Sequence, residues 1–301
     1  MRKLNVMLTE HKPVLRTLKG SPFRSLEEFF LKHGPPPQYF RIDASRYTTI
    51  VGARGLRLVI PPYSFSDIAG RRVEGPVDIQ IQEIYTKAEM ALANKATTSE
   101  DRILESAGQF WIQATQGAGV LQLLRPVAVH LPVGKNLRNP LAMRLFQGSA
   151  PTVKAYQADK YFDWRLGPAK PVSIKKANGR KYYFFQLEQL NWASCGYFIS
   201  RSGHRPMVTL RIEGEWSTPM QQIAFLVFEN MNAIARMYPG THGFTALNIP
   251  NKISASAHVI GINDGQLYYG QSFISPGQGK LFHAGLSPVS GHELLETLNG
   301  I

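Results

Sequence analysis

The chain has 301 residues, with 34 lysines and arginines against 21 acidic residues and a formal net charge of +13 at pH 7. Its 44% hydrophobic and 18% charged residues exclude an intrinsically disordered chain, and its length allows two separate hydrophobic cores. The single cysteine, Cys195, excludes an internal disulfide and a cluster of thiolate metal ligands.

Residues 1–38 are predicted to form an N-terminal extension with one short helix. Ser25 and Glu28 form a capping-box pattern before a run of leucine and phenylalanine, and the prolines at 35–37 end the helix. No apolar run reaches about 18 residues, so no membrane-spanning segment is predicted. The first ten residues lack the apolar stretch of a signal peptide. The chain is therefore either cytoplasmic or numbered from after a removed signal.

Residues 39–134 are predicted to form a first β-sandwich. Apolar side chains recur at every second position in 56–60 and 77–82, which is the pattern of half-buried strands. Further strands are predicted up to residue 133, and a short helix is predicted at 86–92.

Two further regions complete the predicted organisation. Residues 135–200 are predicted to form a bridging β region, and residues 201–301 a C-terminal β-sandwich-like domain. In the bridging region, Asn178-Gly179 between two alternating runs predicts a tight hairpin turn, because asparagine and glycine tolerate positive φ.

The C-terminal domain is predicted to contain a tight turn and to end in a short helix. Asp264-Gly265 indicates the turn, and a capping box of Ser290 and Glu293 before spaced leucines indicates the helix. The predicted fold class is therefore mainly β, with two β-sandwich-like domains and short N-terminal and C-terminal helices.

Six elements between residues 41 and 115 carry a resemblance to a known module. They are a glycine turn at 52–55, Ile-Pro-Pro-Tyr-Ser-Phe at 60–65, Val-Glu-Gly-Pro-Val at 73–77, Glu83, Thr-Thr-Ser at 97–99 and Leu-Glu-Ser-Ala-Gly at 104–108. In order and spacing they resemble the ZU5-like module, in the version common in envelope proteins of Bacteroidota. The resemblance implies a β-sandwich and an extracytoplasmic location, which is periplasmic, on the cell surface or secreted. Some ZU5 relatives cleave themselves at a His-Phe-Ser tripeptide, which does not occur in this sequence.

Residues 191–198 are similar to a block of tryptophan, asparagine, cysteine and aspartate in the same bacterial group. Ser194 and Gly196 stand where that block has asparagine and aspartate, so no role of those polar residues is carried over. Trp192 and Cys195 are predicted to be structural, with the cysteine buried against the tryptophan, because a free cysteine behaves as a small hydrophobic residue.

Motifs that would indicate catalysis or metal binding are incomplete. His292-Glu293 lacks the second histidine that a zinc helix requires one turn later. The Gly-Gln-Gly-Lys sequence at 277–280 lacks both the first glycine and the hydroxyl residue of a phosphate loop. We therefore predict no metal site, no cofactor and no catalytic residue, although paired carboxylates for hydrolysis are recognisable only in space.

The predicted hairpin at Asn178-Gly179 gathers four cations and is the candidate binding site. A two-residue turn places Lys176 opposite Lys181, with Lys175 and Arg180 beside them. Like charges across a ladder destabilise it, and an anionic partner would relieve this cost. The alternative is a solvated tip whose long side chains extend separately into water.

The sequence favours a non-catalytic binding, adhesion or scaffold module of an envelope-associated or secreted assembly. A protein or polysaccharide partner is expected, and the net charge makes an anionic surface a reasonable one. Two alternatives stay open, namely a hydrolase with an unrecognised active site and a basic protein that binds nucleic acid or another polyanion. Nucleic acid is not the favoured partner, because the basic residues are spread along the whole chain. The oligomeric state is not predictable from these features.

Overall fold

The computed structural model describes residues 23–99, 102–134, 136–148, 162–167, 172–177, 179–199, 207–214, 220–241, 243–250, 253–275 and 280–301. In these residues the fold is mainly β, as predicted, and carries three short helices. No helix in the described residues combines the length and the apolar character needed to cross a membrane.

The described residues form three helices and 23 strands in chain order. The first are α1 (Leu26–His33), β1 (Gln38–Asp43), β2 (Thr48–Val51), β3 (Arg57–Ile60), β4 (Phe65–Ser66), β5 (Pro76–Ile84), α2 (Lys87–Leu92), β6 (Thr98–Ser99), β7 (Arg102–Gln116), β8 (Gly119–Val120), β9 (Gln122–Leu123) and β10 (Val127–Pro132). The next are β11 (Arg144–Gly148), β12 (Trp164–Leu166), β13 (Ser173–Ala177), β14 (Arg180–Leu187) and β15 (Trp192–Phe198). The last are β16 (Val208–Glu213), β17 (Gln221–Phe228), β18 (Ile234–Gly240), β19 (Gly243–Ala246), β20 (Ala255–Asn263), β21 (Gln266–Ile274), β22 (Leu281–Gly285), β23 (Ser287–Val289) and α3 (Gly291–Asn299).

Three large sheets organise these strands. The first sheet has the order β1-β5-β7-β15-β11-β12, with β6 and β8 also paired to β7. The second has the order β13-β14-β10-β3-β2, and the third has the order β22-β16-β19-β18-β17-β20-β21-β23. Strands β4 and β9 form a small separate pair.

The first and second sheets pack face to face and share one hydrophobic core. Ile79, Ile81 and Phe110 enter this core from the first sheet, and Leu58 and Val129 enter it from the second. The period-two pattern predicted this alternation, because successive side chains of a strand point to opposite faces. Sandwich packing of two sheets over a common core is the result.

Strands from residues 135–200 belong to both layers of this sandwich. Strands β11, β12 and β15 extend the first sheet, while β13 and β14 extend the second. These residues therefore pair with strands that come from residues 39–134. The domain bounds near residues 134 and 200 stay a prediction.

The third sheet curves so far that it is nearly a barrel. Its first strand in spatial order, β22, also contacts β21, which lies near the opposite edge. Leu210, Leu226, Met237 and Val259 fill the interior. The apolar side chains on the outer face of this sheet are not buried by its own interior, so another element has to pack against them.

All three helices lie on the outer face of the third sheet. Phe225, Val227, Ile260 and Ile262 of the sheet form one buried cluster with residues of the helices, which are Leu26, Phe29 and Phe30 of α1, Met90, Ala91 and Leu92 of α2, and Leu294 and Leu298 of α3. Two helices from the first third of the chain and one from its last residues therefore share a single core.

The predicted helix starts are confirmed by their capping bonds. In α1, the Ser25 hydroxyl accepts from the amide of Glu28 at 3.1 Å, and the Glu28 carboxylate accepts from the amide of Arg24 at 2.7 Å. In α3, the capping box is complete, because Ser290 and Glu293 each accept from the other's amide at 3.2 and 2.7 Å.

The predicted turn between β20 and β21 is also confirmed. Asp264 and Gly265 have φ angles of 47° and 77°, and Asn263 faces Gln266 in the register. These angles are those of a tight hairpin turn that asparagine, aspartate and glycine favour.

Replacing Phe29 with alanine should test whether α1 is part of the folded body or a loosely attached extension. Phe29 has 0% of its surface exposed within the shared helix core, whereas Leu31 in the same helix is 86% exposed. We expect Phe29→Ala to lower the free energy of unfolding by about 3–5 kcal/mol through the lost burial and the cavity left behind. Leu31→Ala is the control and should change it by less than about 0.5 kcal/mol. Equal effects of the two variants in denaturant titrations would show that α1 is not packed in this way.

Candidate functional site

The hairpin of β13 and β14 has the register that its sequence predicts. Lys176 lies opposite Lys181, and Ala177 lies opposite Arg180. Gly179 has a φ of 76°, whereas Asn178 lies outside the described residues. The lysines and the arginine of this tip are exposed.

The two faces of the second sheet divide the four predicted cations into two pairs. Tyr183 points into the sandwich core. Lys181 is two positions from Tyr183 on the same strand and therefore projects from the same face of the sheet, as does its partner Lys176. Both lysines lie past the edge of the core. Lys175 and Arg180 project from the opposite, outer side. The four cations therefore do not form one cluster but two pairs on different faces.

Aromatic rings fix the cations of the outer side. The ammonium group of Lys175 lies 3.3 Å from the ring centre of Phe184, and the guanidinium of Arg57 lies 5.3 Å from that of Tyr182. The His130 ring meets Phe184 edge-on at 5.1 Å. Cations over aromatic faces are attracted by the ring quadrupole, so these positive groups have preferred positions.

We call this set the basic outer face, and its members are Arg57, His130, Lys175, Arg180, Tyr182 and Phe184. Arg57 and His130 were missed by the sequence reading. Their strands are distant in sequence from the hairpin, and only the order β14-β10-β3 brings them alongside it. Alternation alone could have placed them on an outer face, but not beside Lys175.

The pKa of His130 reflects the positive charge of this face. Burial lowers the pKa of its imidazole, and the neighbouring charges of Lys175 and Arg57 lower it further. The imidazole is therefore neutral at pH 7, and its environment disfavours additional positive charge. An anion at this face would reverse that effect.

Trp192 and Cys195 lie in different clusters of the structure. Cys195 is fully buried in the sandwich core, and burial raises the pKa of its thiol, which keeps it protonated and unreactive. Trp192 packs instead with Phe162 and Trp164, at ring separations of 6.0 and 6.5 Å. Their three-residue spacing along a strand explains the separation, because it directs them to opposite sides.

A second feature is a cleft of about 720 Å³ between the sandwich and the third sheet. One wall comes from the start of α2 and the segment after β10, and the other comes from the turn between β17 and β18. Its polar lining consists of Arg54, Tyr85, Thr86, Lys87, Asn136, Glu229, Asn230 and Asn232. Sequence reasoning missed this cleft because its walls come from segments far apart in the chain.

A fully buried carboxylate, that of Glu105, joins the two walls. Its Oε2 accepts hydrogen bonds from the Tyr197 hydroxyl at 2.7 Å and from the amide of Arg138 at 3.1 Å. Its Oε1 accepts from the amide of Asn232 at 3.4 Å. Burial of Tyr197 and its hydrogen bond to this carboxylate raise the pKa of the Tyr197 hydroxyl, which stays a donor at all ordinary pH values.

Asn232 completes the connection with its side chain. Its Nδ2 donates to the carbonyl oxygens of Tyr85 at 2.7 Å and Ser106 at 2.8 Å. Asn232 thus bonds the turn of the third sheet to the sandwich through both its backbone amide and its side chain.

Glu83 shapes the adjacent edge of the cleft. Its carboxylate accepts from the amides of Arg54 at 3.1 Å and Leu56 at 3.2 Å, and from the Tyr85 hydroxyl at 2.8 Å. A Cβ atom at Gly52 would overlap this carboxylate, so the turn requires glycine there. Burial raises the pKa of Tyr85, and the nearby Glu83 adds to the effect.

A buried hydrogen-bonded array lies on the outer face of the third sheet. His258 Nε2 is 2.7 Å from the Ser256 hydroxyl, and Nδ1 is 2.8 Å from the Tyr269 hydroxyl. Burial lowers the pKa of His258 to about 4, with a further contribution from Lys87. Such an imidazole is a poor base at neutral pH, so the array is better described as a polar element of the core.

No protein-family model matches the sequence, and no curated protein matches it either. The resemblance to the ZU5-like module therefore stays a prediction. Across the described residues, no three histidine, cysteine, aspartate or glutamate side chains are grouped so that they could hold a metal ion. The candidate functional sites are the basic outer face and the cleft.

Replacing Glu105 with glutamine should weaken the hydrogen bonds that join the two walls of the cleft, which we call the joint. The substitution keeps the shape but puts an amide donor among three groups that all donate. We expect the free energy of unfolding to fall by about 2 kcal/mol, measured by denaturant titration. Glu27→Gln, on the exposed side of α1, removes the same charge and should have little effect. A cost for Glu105→Gln no larger than that control would rule out the joint.

His258 should make stability depend on pH in a defined window. The unfolded imidazole binds a proton near pH 6.5, whereas the folded one does so only near pH 4. The unfolded state therefore binds more protons between these values, and stability falls as pH is lowered through them, by about 3 kcal/mol in full. His258→Gln should flatten the fall in unfolding free energy between about pH 7 and pH 5, whereas His292→Gln, at a side chain 78% exposed, should not. A slope unchanged in His258→Gln would refute the assignment.

Proposed function

We propose that this chain is a non-catalytic binding protein that holds an acidic polysaccharide on its basic outer face. The observation that carries the proposal is that Lys175 and Arg57 are held over Phe184 and Tyr182, on one side of an exposed sheet. Cations fixed in position lose less conformational entropy on binding than freely moving ones.

Lys175 and Arg180 are the cations of this face that a ligand can reach. The Nε atom of Arg57 is buried and has no hydrogen-bond partner among the described residues. Lys175 and Arg180 are exposed, and both lie on the same side as His130. Carboxylate or sulfate groups match such donors well, because charge-assisted hydrogen bonds are stronger than neutral ones.

The state of the aromatic rings favours a polysaccharide over a nucleic acid. Binding of single-stranded nucleic acid relies on bare aromatic faces on which bases stack. Here Tyr182 is only 3% exposed, and a cation already lies over the face of each ring. The rings therefore position charges instead of receiving bases.

A binding role in an envelope-associated or secreted assembly is part of the proposal. The ZU5-like resemblance supports an extracytoplasmic location, where acidic polysaccharides are common surface components. The net charge of +13 adds a general attraction to such polymers at low salt.

The two cation pairs of the hairpin provide a charge-matched test. Lys175→Gln with Arg180→Gln removes two charges from the basic outer face, and Lys176→Gln with Lys181→Gln removes two from the opposite side of the same tip. We expect the first pair to weaken binding of polygalacturonate about fivefold and to flatten its salt dependence. The second pair should change the affinity much less. Binding is measured by calorimetry over a series of salt concentrations, with melting temperatures recorded for each variant.

Each other outcome has a clear meaning. Equal losses in both double variants would mean that net charge, not the basic outer face, attracts the polymer, which contradicts the proposal. Tighter binding of single-stranded DNA than of polygalacturonate at the same salt would favour the nucleic-acid alternative. Absence of binding by the unmodified chain at low salt would reject an acidic polysaccharide as the partner.

A further inference from the structure

The cleft between the sandwich and the third sheet has the properties of a preformed ligand site. Its volume of about 720 Å³ falls within the range of small-molecule sites in proteins. The bonds of Glu105 and Asn232 fix both walls. A ligand would therefore enter a cavity that needs little rearrangement.

Two amide side chains lie on opposite walls of this cleft. Asn136 follows β10 on the sandwich wall, and Asn230 lies in the turn of the third sheet. Both are exposed, and neither side chain bonds to another described residue. An amide both donates and accepts hydrogen bonds, which matches a hydroxyl group because that group also does both.

The described cations of the cleft already have partners. Arg54 forms an ion pair with Glu89, and Lys87 donates to the carbonyl oxygen of Phe228 at 2.8 Å. Burial lowers the pKa of Lys87, and the charge of Glu229 acts in the opposite direction. This compensation contrasts with the basic outer face and favours an uncharged ligand.

Apolar side chains complete the lining. Leu137 and Met231 lie on the two walls, and the ring carbons of Tyr85, just before α2, add apolar surface beside its hydroxyl. Sugar rings combine hydroxyl groups with apolar ring faces, so a mixed lining of amides, a carboxylate and apolar groups suits them. Glu229 can accept from two hydroxyl groups, since an ionised carboxylate is an acceptor only.

We infer that the cleft binds a neutral saccharide of roughly one to three rings, held by Asn136, Asn230 and Glu229. This site shares no charged side chain with the basic outer face, and its ligand is of a different charge class. The two binding activities are therefore separable by salt and by mutation.

The test uses the full chain with glucose, N-acetylglucosamine, maltose, cellobiose, lactose and chitobiose as probes. Saturation-transfer difference NMR detects binding, and calorimetry measures the affinity at about 0.05 M and about 0.5 M sodium chloride. We expect at least one probe to bind with an affinity that changes little with salt.

The variant Asn136→Ala with Asn230→Ala should weaken that binding about tenfold or more, because it removes two sets of hydrogen bonds to the ligand. Both side chains are exposed, so the melting temperature should be unchanged. Asn139→Ala is the matched control, since it alters an exposed asparagine three positions from Asn136, outside the cleft.

Three results would overturn the inference. They are no binding of any probe, equal affinity in the double variant and the unmodified chain, and an affinity that falls steeply with salt. The Lys175→Gln with Arg180→Gln variant should keep saccharide binding, so failure at the basic outer face and failure at the cleft are distinguishable.

Discussion

The buried carboxylate of Glu105 is one of the polar groups that join the sandwich to the third sheet. Removing a carboxylate from water costs several kcal/mol unless donors replace the lost hydration. Three donors do so here, from Tyr197, Arg138 and Asn232, and they belong to three separate segments. The carboxylate has all three donors only when these segments come together, so the interaction favours the arrangement in which the parts that line the cleft meet. Nonspecific hydrophobic contact would not impose this selectivity.

The hydrophobic core that the three helices share with the third sheet is the second interaction that holds the structure together. Apolar burial is strong but non-directional, and it attaches α1, α2 and α3 to the third sheet without fixing exact positions. Directional bonds then refine the arrangement, as where the amide of Leu26 donates to Gln221 Oε1 at 3.0 Å. Apolar residues thus hold the helices against the sheet, and different, polar residues fix their positions.

Local features of the fold could be predicted from the sequence, whereas the partners of strands could not. Alternation indicated β3 and β5, capping patterns indicated α1 and α3, and Asp264-Gly265 indicated a turn, because each depends on neighbouring residues alone. That β13 and β14 join a sheet with β10 and β3 depends on pairing across long stretches of chain. No local pattern contains this information.

The same distinction applies to the candidate sites. The hairpin cations could be found because they adjoin a recognisable turn, and their register followed from its length. Their division into two pairs, and the addition of Arg57 and His130 to one of them, required the sheet order. Glu83 and Glu105 were noticed only as elements of a resemblance. Both carboxylates accept hydrogen bonds from amides that are distant in sequence, and this can be seen only in the folded structure.

The helix core has a consequence for the order of events during synthesis. Phe29 of α1 is made early, but the strands β17 and β20 that it covers lie in the last third of the chain. Until these strands emerge from the ribosome, the apolar side of α1 lacks its partners in the third sheet. An exposed apolar helix in an unfinished chain is a site for chaperone binding or for association with other nascent chains. The packing of α1 is therefore completed only after the strands of the last third of the chain have been made.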